Sequence, residues 1–221
     1  MARIDFVQSM HASTKRDYVA RVVAYNKAEC ATVAKRFGAE YWDGARQFGY
    51  GGYAYDGRWF PLAQTLAKHY DLKAGDRLLD VGCGKGYLLY EFTRAVPGLE
   101  VAGLDISAYA IANAKEEVKA NLTVGDADEL PWPAGTFDCV VSLGTLHNLP
   151  LSRLKPAVRE IERVGKNGAK YIMVESWRNE EEKANLLYWQ LTCESFHSVD
   201  EWESLYRDAG YSGDYGFIFF E

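Results

Sequence analysis

One stretch constrains the fold of this 221-residue chain more than any other: Arg77 to Phe92, RLLDVGCGKGYLLYEF. A short apolar strand pattern runs into a glycine-rich turn, and the turn runs into a helical pattern that puts Leu88, Leu89 and Phe92 at helical spacing. Glycines at 82, 84 and 86 permit a tight turn and a close approach of the backbone to a ligand. Strand, glycine turn and helix in that order open a parallel sheet wrapped by helices. The ligand is the open question, because Asp80 sets a carboxylate two residues before the first glycine.

Three ligands suit such a turn. A phosphate in a P-loop needs GxxxxGK followed by Ser or Thr, and here Gly86 follows Lys85. The pyrophosphate of a dinucleotide needs glycine at 87, where the chain has Tyr87, and it would face Asp80. Two like charges ~4 Å apart repel by about 4 kcal/mol at an effective dielectric near 20, so the carboxylate opposes any anion. A ligand with a cationic end turns the same carboxylate into an attraction. At these residues the chain resembles the class I S-adenosylmethionine-dependent methyltransferases over residues 77–176. Its nearest type is the small-molecule group of ubiquinone and menaquinone biosynthesis.

The resemblance rests on several motifs in order. LLDVGCGKG is similar to the family's first motif, which implies Asp80 near the methionine end of the cofactor and Gly82, Cys83, Gly84 and Gly86 around it. AGLDIS puts Asp105 and Ile106 at the tip of the second strand, where the family's ribose-binding acid stands. GDADELPWPAGTFDCVVSLGTLHNL is similar to the long family signature and implies Asp126 and Ala127 at the adenine edge, with Leu143 and Gly144 bordering the cofactor. The implied cofactor is S-adenosylmethionine and the implied product S-adenosylhomocysteine. The implied reaction is metal-independent, in-line methyl transfer to a small-molecule acceptor. The chain departs from the family in having His147-Asn148 for a paired HH, and Trp132 for Phe. The family sheet also ends in an antiparallel hairpin, whereas only DYGFIFFE follows the last helical pattern, so the seventh strand is missing, displaced or formed by another segment.

The remaining patterns extend the alternation. EVAGLDI, LTVG, FDCVVSLGTL and AKYIMVES read as strands. AYAIANAKEEVKA, N-capped by Ser107, reads as one helix; PAVREIERVGKNG as another with Pro156 near its first turn; residues 179–193 as a third. Ser198 and Glu201 have capping-box spacing, and Gly210 ends that helix. The expected fold is α/β, a Rossmann-like doubly wound, mostly parallel sheet with an N-terminal helical cap. Residues 1–59 are expected to form the cap and an aromatic, glycine-rich lid, and residues 60–221 the methyltransferase core with a helical insertion at 177–197. Residues 14–37 carry apolar side chains at helical intervals, as one long helix or two short ones.

A formal net charge of −6 disfavours a broad electrostatic grip on nucleic acid or an anionic membrane, and Lys15, Arg16 and the lysines at 166 and 170 are too scattered to form a patch. No window approaches the length of a membrane span. Four widely spaced cysteines without a CxxC pair suggest neither a zinc site nor a disulfide framework, and with no leader-like segment the expected compartment is the cytoplasm. The expected partner is a small-molecule substrate, with neither nucleic acid nor membrane; the oligomeric state is unset.

On the acceptor side, His147 after strand four and Glu175 at the end of strand five are the candidate bases if the acceptor is a hydroxyl or an ammonium. A histidine at that place also serves simply to cap the next segment. His69 reads as structural, while His11 and His197 are undecided. Tyr50, Tyr53, Tyr55 and Trp59 read as a lid that lays rings on the cofactor or substrate, with a plain hydrophobic plug as the other reading. Arg58 suits a carboxylate of cofactor or substrate, or is a surface arginine. A protein or RNA acceptor, and a cofactor-binding member without turnover, remain the alternatives.

Overall fold

The computed structural model describes residues 1–7 and 17–221. His11, Lys15, Arg16 and the start of the 14–37 helical pattern lie outside the described residues. Beyond them the pattern breaks into two short helices, α1 (Tyr18–Ala24) and α2 (Lys27–Ala34). Asp17 accepts from the Ala20 N–H, and Asn26 accepts from Ala28 and Glu29, so each helix begins at a side-chain cap. α3 (Ala39–Trp42), a 3-10 turn (Arg46–Phe48) and α4 (Phe60–His69) follow.

The core alternates β1 (Arg77–Val81), α5 (Tyr87–Ala95), β2 (Glu100–Asp105), α6 (Ala108–Ala112), α7 (Glu116–Lys119), β3 (Leu122–Val124) and β4 (Cys139–Leu143). A 3-10 turn (Leu146–Asn148), α8 (Leu151–Val164), β5 (Lys170–Glu175), α9 (Glu180–Trp189), α10 (Val199–Ala209) and β6 (Asp214–Ile218) complete it. The sheet order is β3-β2-β1-β4-β5-β6, and every neighbouring pair is parallel. Strands buried on both faces explain the unbroken apolar runs of the sequence. On one face Leu154, Ile161, Trp202 and Tyr206 pack on Val140 and Ile172; on the other Leu66, Leu89 and Phe92 pack on Leu78 and Val141. Burying each such large side chain contributes about 1.5–3 kcal/mol. The strand order reverses between β1 and β4, so a crevice opens at their carboxyl ends.

Three expectations change. The single helix expected after Ser107 is two, because the Lys115 N–H donates to the Lys85 carbonyl of the glycine turn at 2.9 Å instead of continuing the ladder. α8 starts at Leu151, so Pro156 lies inside it and forfeits the bond to the Ser152 carbonyl; both residues are exposed, where solvent can satisfy that carbonyl. The 179–193 helix stops at Trp189, leaving an irregular run to Ser198.

The sheet edge answers the question of the last strand. β6 pairs directly with β5 and parallel to it, and no antiparallel hairpin occurs among the described residues. Its outer edge is taken by the N-terminal segment: the Ile4 N–H donates to Tyr215 O at 2.7 Å, the Tyr215 N–H to Ala2 O at 3.0 Å, and the Phe217 N–H to Asp5 Oδ1 at 3.0 Å. No helix among the described residues is long and apolar enough to cross a membrane.

Candidate active site

Each strand delivers a functional group to the crevice: Asp80 from β1, Asp105 from β2, Asp126 after β3, Leu143 and Gly144 at β4, and Glu175 at the end of β5. They line two adjoining cavities of about 330 and 180 Å³ that share Trp42, Tyr50, Gly82 and Gly144 among their walls. The larger holds Asp80, Cys83, His147 and Glu175; the smaller holds Asp105, Ile106, Asp126 and Ala127.

Backbone conformation shapes the turn. Gly82 lies at φ 86°, and a Cβ there would run into the Thr145 side chain. Gly84 lies at φ 54°, with the Trp42 ring 2.8 Å from where a Cβ would stand. Its N–H donates to Asp105 Oδ2 at 2.8 Å, and the Ser107 N–H to Asp105 Oδ1 at 2.8 Å, so the second strand tip is tied to the first turn. Gly86 faces away from the cavities, toward Val118 and Leu122, where it starts α5.

Asp80 is only 4 % exposed. Burial, and after it the Asp105 charge, pushes its carboxyl up to about 8. Asp105 is raised as well by burial, partly offset by the N–H groups of Ser107 and Gly84. No ion pair joins either carboxylate to a cation among the described residues. Two buried acids with no cation paired to them fit a ligand that brings one. Asp126, by contrast, is held by Arg153 Nη2 at 2.7 Å, which also pairs with Asp128.

At the far wall, His147 is 2 % exposed. Its Nδ1 accepts a long bond of 3.5 Å from the Glu175 N–H, and its Nε2 lies 3.4 Å from Glu175 Oε2. With Nδ1 the acceptor, Nε2 carries the hydrogen and points it at the carboxylate. Burial drives the imidazole down to about 3, so the ring is neutral at physiological pH. Gln190 Nε2 donates to the same Glu175 oxygen.

The segment expected as a lid is an aromatic stack. Trp42 lies parallel to Tyr50 with centroids 5.3 Å apart, Tyr50 meets Tyr53 at 4.5 Å, and Tyr53 stacks on Tyr87 at 5.1 Å. Tyr50, Tyr53, Arg58 and Trp59 line the larger cavity, although the Arg58 guanidinium pairs with Asp56 and is largely exposed. Tyr55 turns outward and donates to Glu91 Oε1 at 2.6 Å. Lys85, a residue of the glycine turn, holds Asp43 Oδ1 at 2.7 Å and the Tyr53 carbonyl at 3.0 Å, pinning the lid. Trp42 Nε1 pins it again, donating to Ser107 Oγ at 2.9 Å. Sequence reasoning missed Tyr41, Trp42, Asp43, Arg153, Gln190 and Thr192. One signal was available: a lysine in a glycine turn that binds no phosphate needs a partner within the protein.

Residues 79–173 match the family model described as a methyltransferase domain. Over these residues the chain is similar to the class I S-adenosylmethionine-dependent methyltransferases. The match to a methyltransferase domain supports S-adenosylmethionine as the cofactor of that domain. The chain is 39 % identical over 113 residues to the demethylmenaquinone methyltransferase of Bacillus cytotoxicus, covering 48 % of this chain and 47 % of that one. It is 33 % identical over 146 residues to a tRNA (carboxymethyluridine(34)-5-O)-methyltransferase of Arabidopsis thaliana, covering 66 % of this chain and 34 % of that one. The chain thus spans about half the length, or less, of these curated relatives. Among solved structures it is similar to a chain of the complex between the Haloferax volcanii Trm112 methyltransferase activator and a methyltransferase, with a TM-score of 0.54 and 26 % identity over 70 % of this chain and 73 % of that one.

Proposed function

We propose that this chain methylates a small-molecule acceptor held in the larger cavity, without a metal. The observation that carries the reading is the polarity of the joined cavities: uncompensated carboxylates at the β1 and β2 tips, and the Glu175, His147 and Gln190 cluster at the other wall. Asp80 is assigned to the ammonium end of the cofactor, with Gly82, Cys83 and Gly84 beside it, Asp105 and Ile106 to the ribose, and Asp126 and Ala127 to the adenine edge. Leu143 and Gly144 form the floor between donor and acceptor. When bound, S-adenosylmethionine would supply an activated methyl group for in-line transfer, the new bond forming between acceptor and methyl carbon as the C–S bond breaks and its electron pair stays on the sulfur of S-adenosylhomocysteine. The protein aligns the partners and excludes water.

Glu175 is the group that takes a proton from a hydroxyl or ammonium acceptor. His147 acts through it, since both ring nitrogens are turned to Glu175. Selectivity is assigned to residues 1–59 and 177–197, the cap, lid and insertion around the 60–221 core, which contribute Tyr41, Tyr50, Tyr53, Gln190 and Thr192 to the walls. A lid packed ring on ring over the crevice favours an acceptor small enough to be enclosed, though one relative is named for a tRNA substrate. Incubation with S-adenosylmethionine and a panel of small hydroxyl, amine and enolic compounds, read as S-adenosylhomocysteine release, tests it. Turnover only with tRNA or protein would overturn the small-molecule reading, and cofactor binding without any turnover would overturn catalysis.

A further inference from the structure

Behind the lid, a cavity of about 350 Å³ lies between α1, α2 and the end of α9, and it shares no wall residue with the two cavities of the crevice. Arg21, Lys27 and Arg46 all line it, in a chain whose formal net charge is −6. The guanidinium carbons of Arg21 and Arg46 stand 4.6 and 5.4 Å from the Trp189 ring centroid. Cation–π contact uses the face of a guanidinium and leaves its N–H edge for other partners. Arg21 Nε is buried without a hydrogen-bond partner, Lys27 Nζ donates to Leu187 O, and Arg46 Nη1 donates to Gly49 O at 2.5 Å and Tyr50 O at 3.2 Å.

Among the described residues one acid, Asp17, shares the wall with these three cations. Its Oδ1 accepts from the Ala20 N–H at 2.8 Å, and one carboxylate leaves the wall with an excess of positive charge. Among the described residues no ion pair reaches Arg21, Lys27 or Arg46. Burial lowers the pKa of Arg21 and of Lys27, and neighbouring cations lower both further. Three converging cations, one with a buried unused donor, call for an anion with more than one charge and several acceptor oxygens.

We propose that this pocket binds the phosphate group of a small phosphorylated metabolite. The recess is walled on its apolar side by Ala20, Ala24 and Leu191, which makes it a hole for one group and not a track for a polyanion. Its position also couples it to the crevice: Trp189 and Leu191 face the pocket, while Gln190 and Thr192 of the same segment line the larger cavity. The site stands whether or not the acceptor assignment above holds.

The test is calorimetry on the full chain with inorganic phosphate and with pyrophosphate, repeated on Arg21→Gln and Lys27→Met, with S-adenosylmethionine affinity as the control for folding. The expected result is saturable phosphate binding to the wild type and a loss of tenfold or more in each variant, with cofactor affinity unchanged within about twofold. If Arg21→Gln does not fold, Lys27→Met carries the test, and undiminished phosphate binding there overturns the site. Absence of binding at about 10 mM phosphate also overturns it. Binding confined to an RNA oligomer and falling steeply with salt overturns the small-metabolite assignment.

Discussion

Lys85 Nζ lies 2.7 Å from Asp43 Oδ1 and 2.8 Å from Asp43 Oδ2, joining the glycine turn after β1 to the aromatic segment proposed as a lid. The lysine side chain is 6 % exposed and the aspartate side chain 36 %. The pair is therefore half buried, and removing one partner strands a charge.

Asp43→Ala leaves that lysine unpaired in a nearly dry place. A fully buried pair costs about 3–5 kcal/mol to break, and partial solvation of Asp43 reduces this to about 1–3 kcal/mol. Thermal melting will show the loss, and stopped-flow binding will show faster dissociation of S-adenosylmethionine. Lys85→Met with Asp43→Leu, which removes both charges, is expected to recover much of the stability but not the slow dissociation. Equal dissociation rates in all variants would sink the idea of a pinned lid.

Asp80 gives a pH signature. Its folded carboxyl, at about 8, lies above the ordinary carboxylate value, so the ligand-free folded state holds a proton that the unfolded chain has lost. Its contribution to stability therefore declines as pH rises from about 4 to about 8. A cationic ligand favours the ionised form, so binding at pH 7 releases a proton and tightens as pH approaches 8. Calorimetry in two buffers of different ionisation enthalpy measures that proton. Asp80→Asn is expected to abolish its release and weaken binding at least tenfold.

Glu175→Gln tests the proposed base. For a hydroxyl or ammonium acceptor, kcat is expected to fall 10²–10⁴-fold with cofactor affinity unchanged. His147 titrates near 3, so no limb of the pH–rate profile between pH 5 and 8 belongs to it. His147→Asn is expected to lower kcat less than Glu175→Gln does. A histidine limb that vanishes in His147→Asn would reverse the two roles.

Two glycines make a matched pair. Gly82 and Gly144 lie at φ 86° and 68°, so alanine at either meets a backbone cost of about 1–2 kcal/mol. At Gly144 nothing lies within 4 Å of the added methyl, whereas at Gly82 it meets Thr145. Gly82→Ala is therefore expected to cost about 1–3 kcal/mol more in chemical denaturation. Similar losses at both sites would show that the crowding at Thr145 relaxes freely.

The alternation of apolar runs and amphipathic patterns from Arg77 onward was enough to set the parallel core, because each period records which face of an element is buried. The placement of Asp80, Asp105 and Asp126 at strand ends was legible for the same reason. Where local patterns met a distant partner, they failed. The 108–119 helix breaks at a bond to Lys85, and the slot beside β6 is filled by residues 2–5 from the opposite end of the chain. Tyr55 and Tyr53 are two residues apart in one aromatic run, yet one bonds outward to Glu91 and the other lines the cavity.

By itself the sequence determined the parallel core, its glycine turn and the carboxylate ahead of that turn, since these follow from side-chain period, backbone freedom and the order of a few neighbouring residues. Tertiary structure alone decided which aromatics close the crevice, that His147 turns both nitrogens to Glu175, and that Arg21, Lys27 and Arg46 meet around Trp189. Those contacts join segments far apart in the chain. Their energies depend on distance and burial in three dimensions, and no local spacing encodes either.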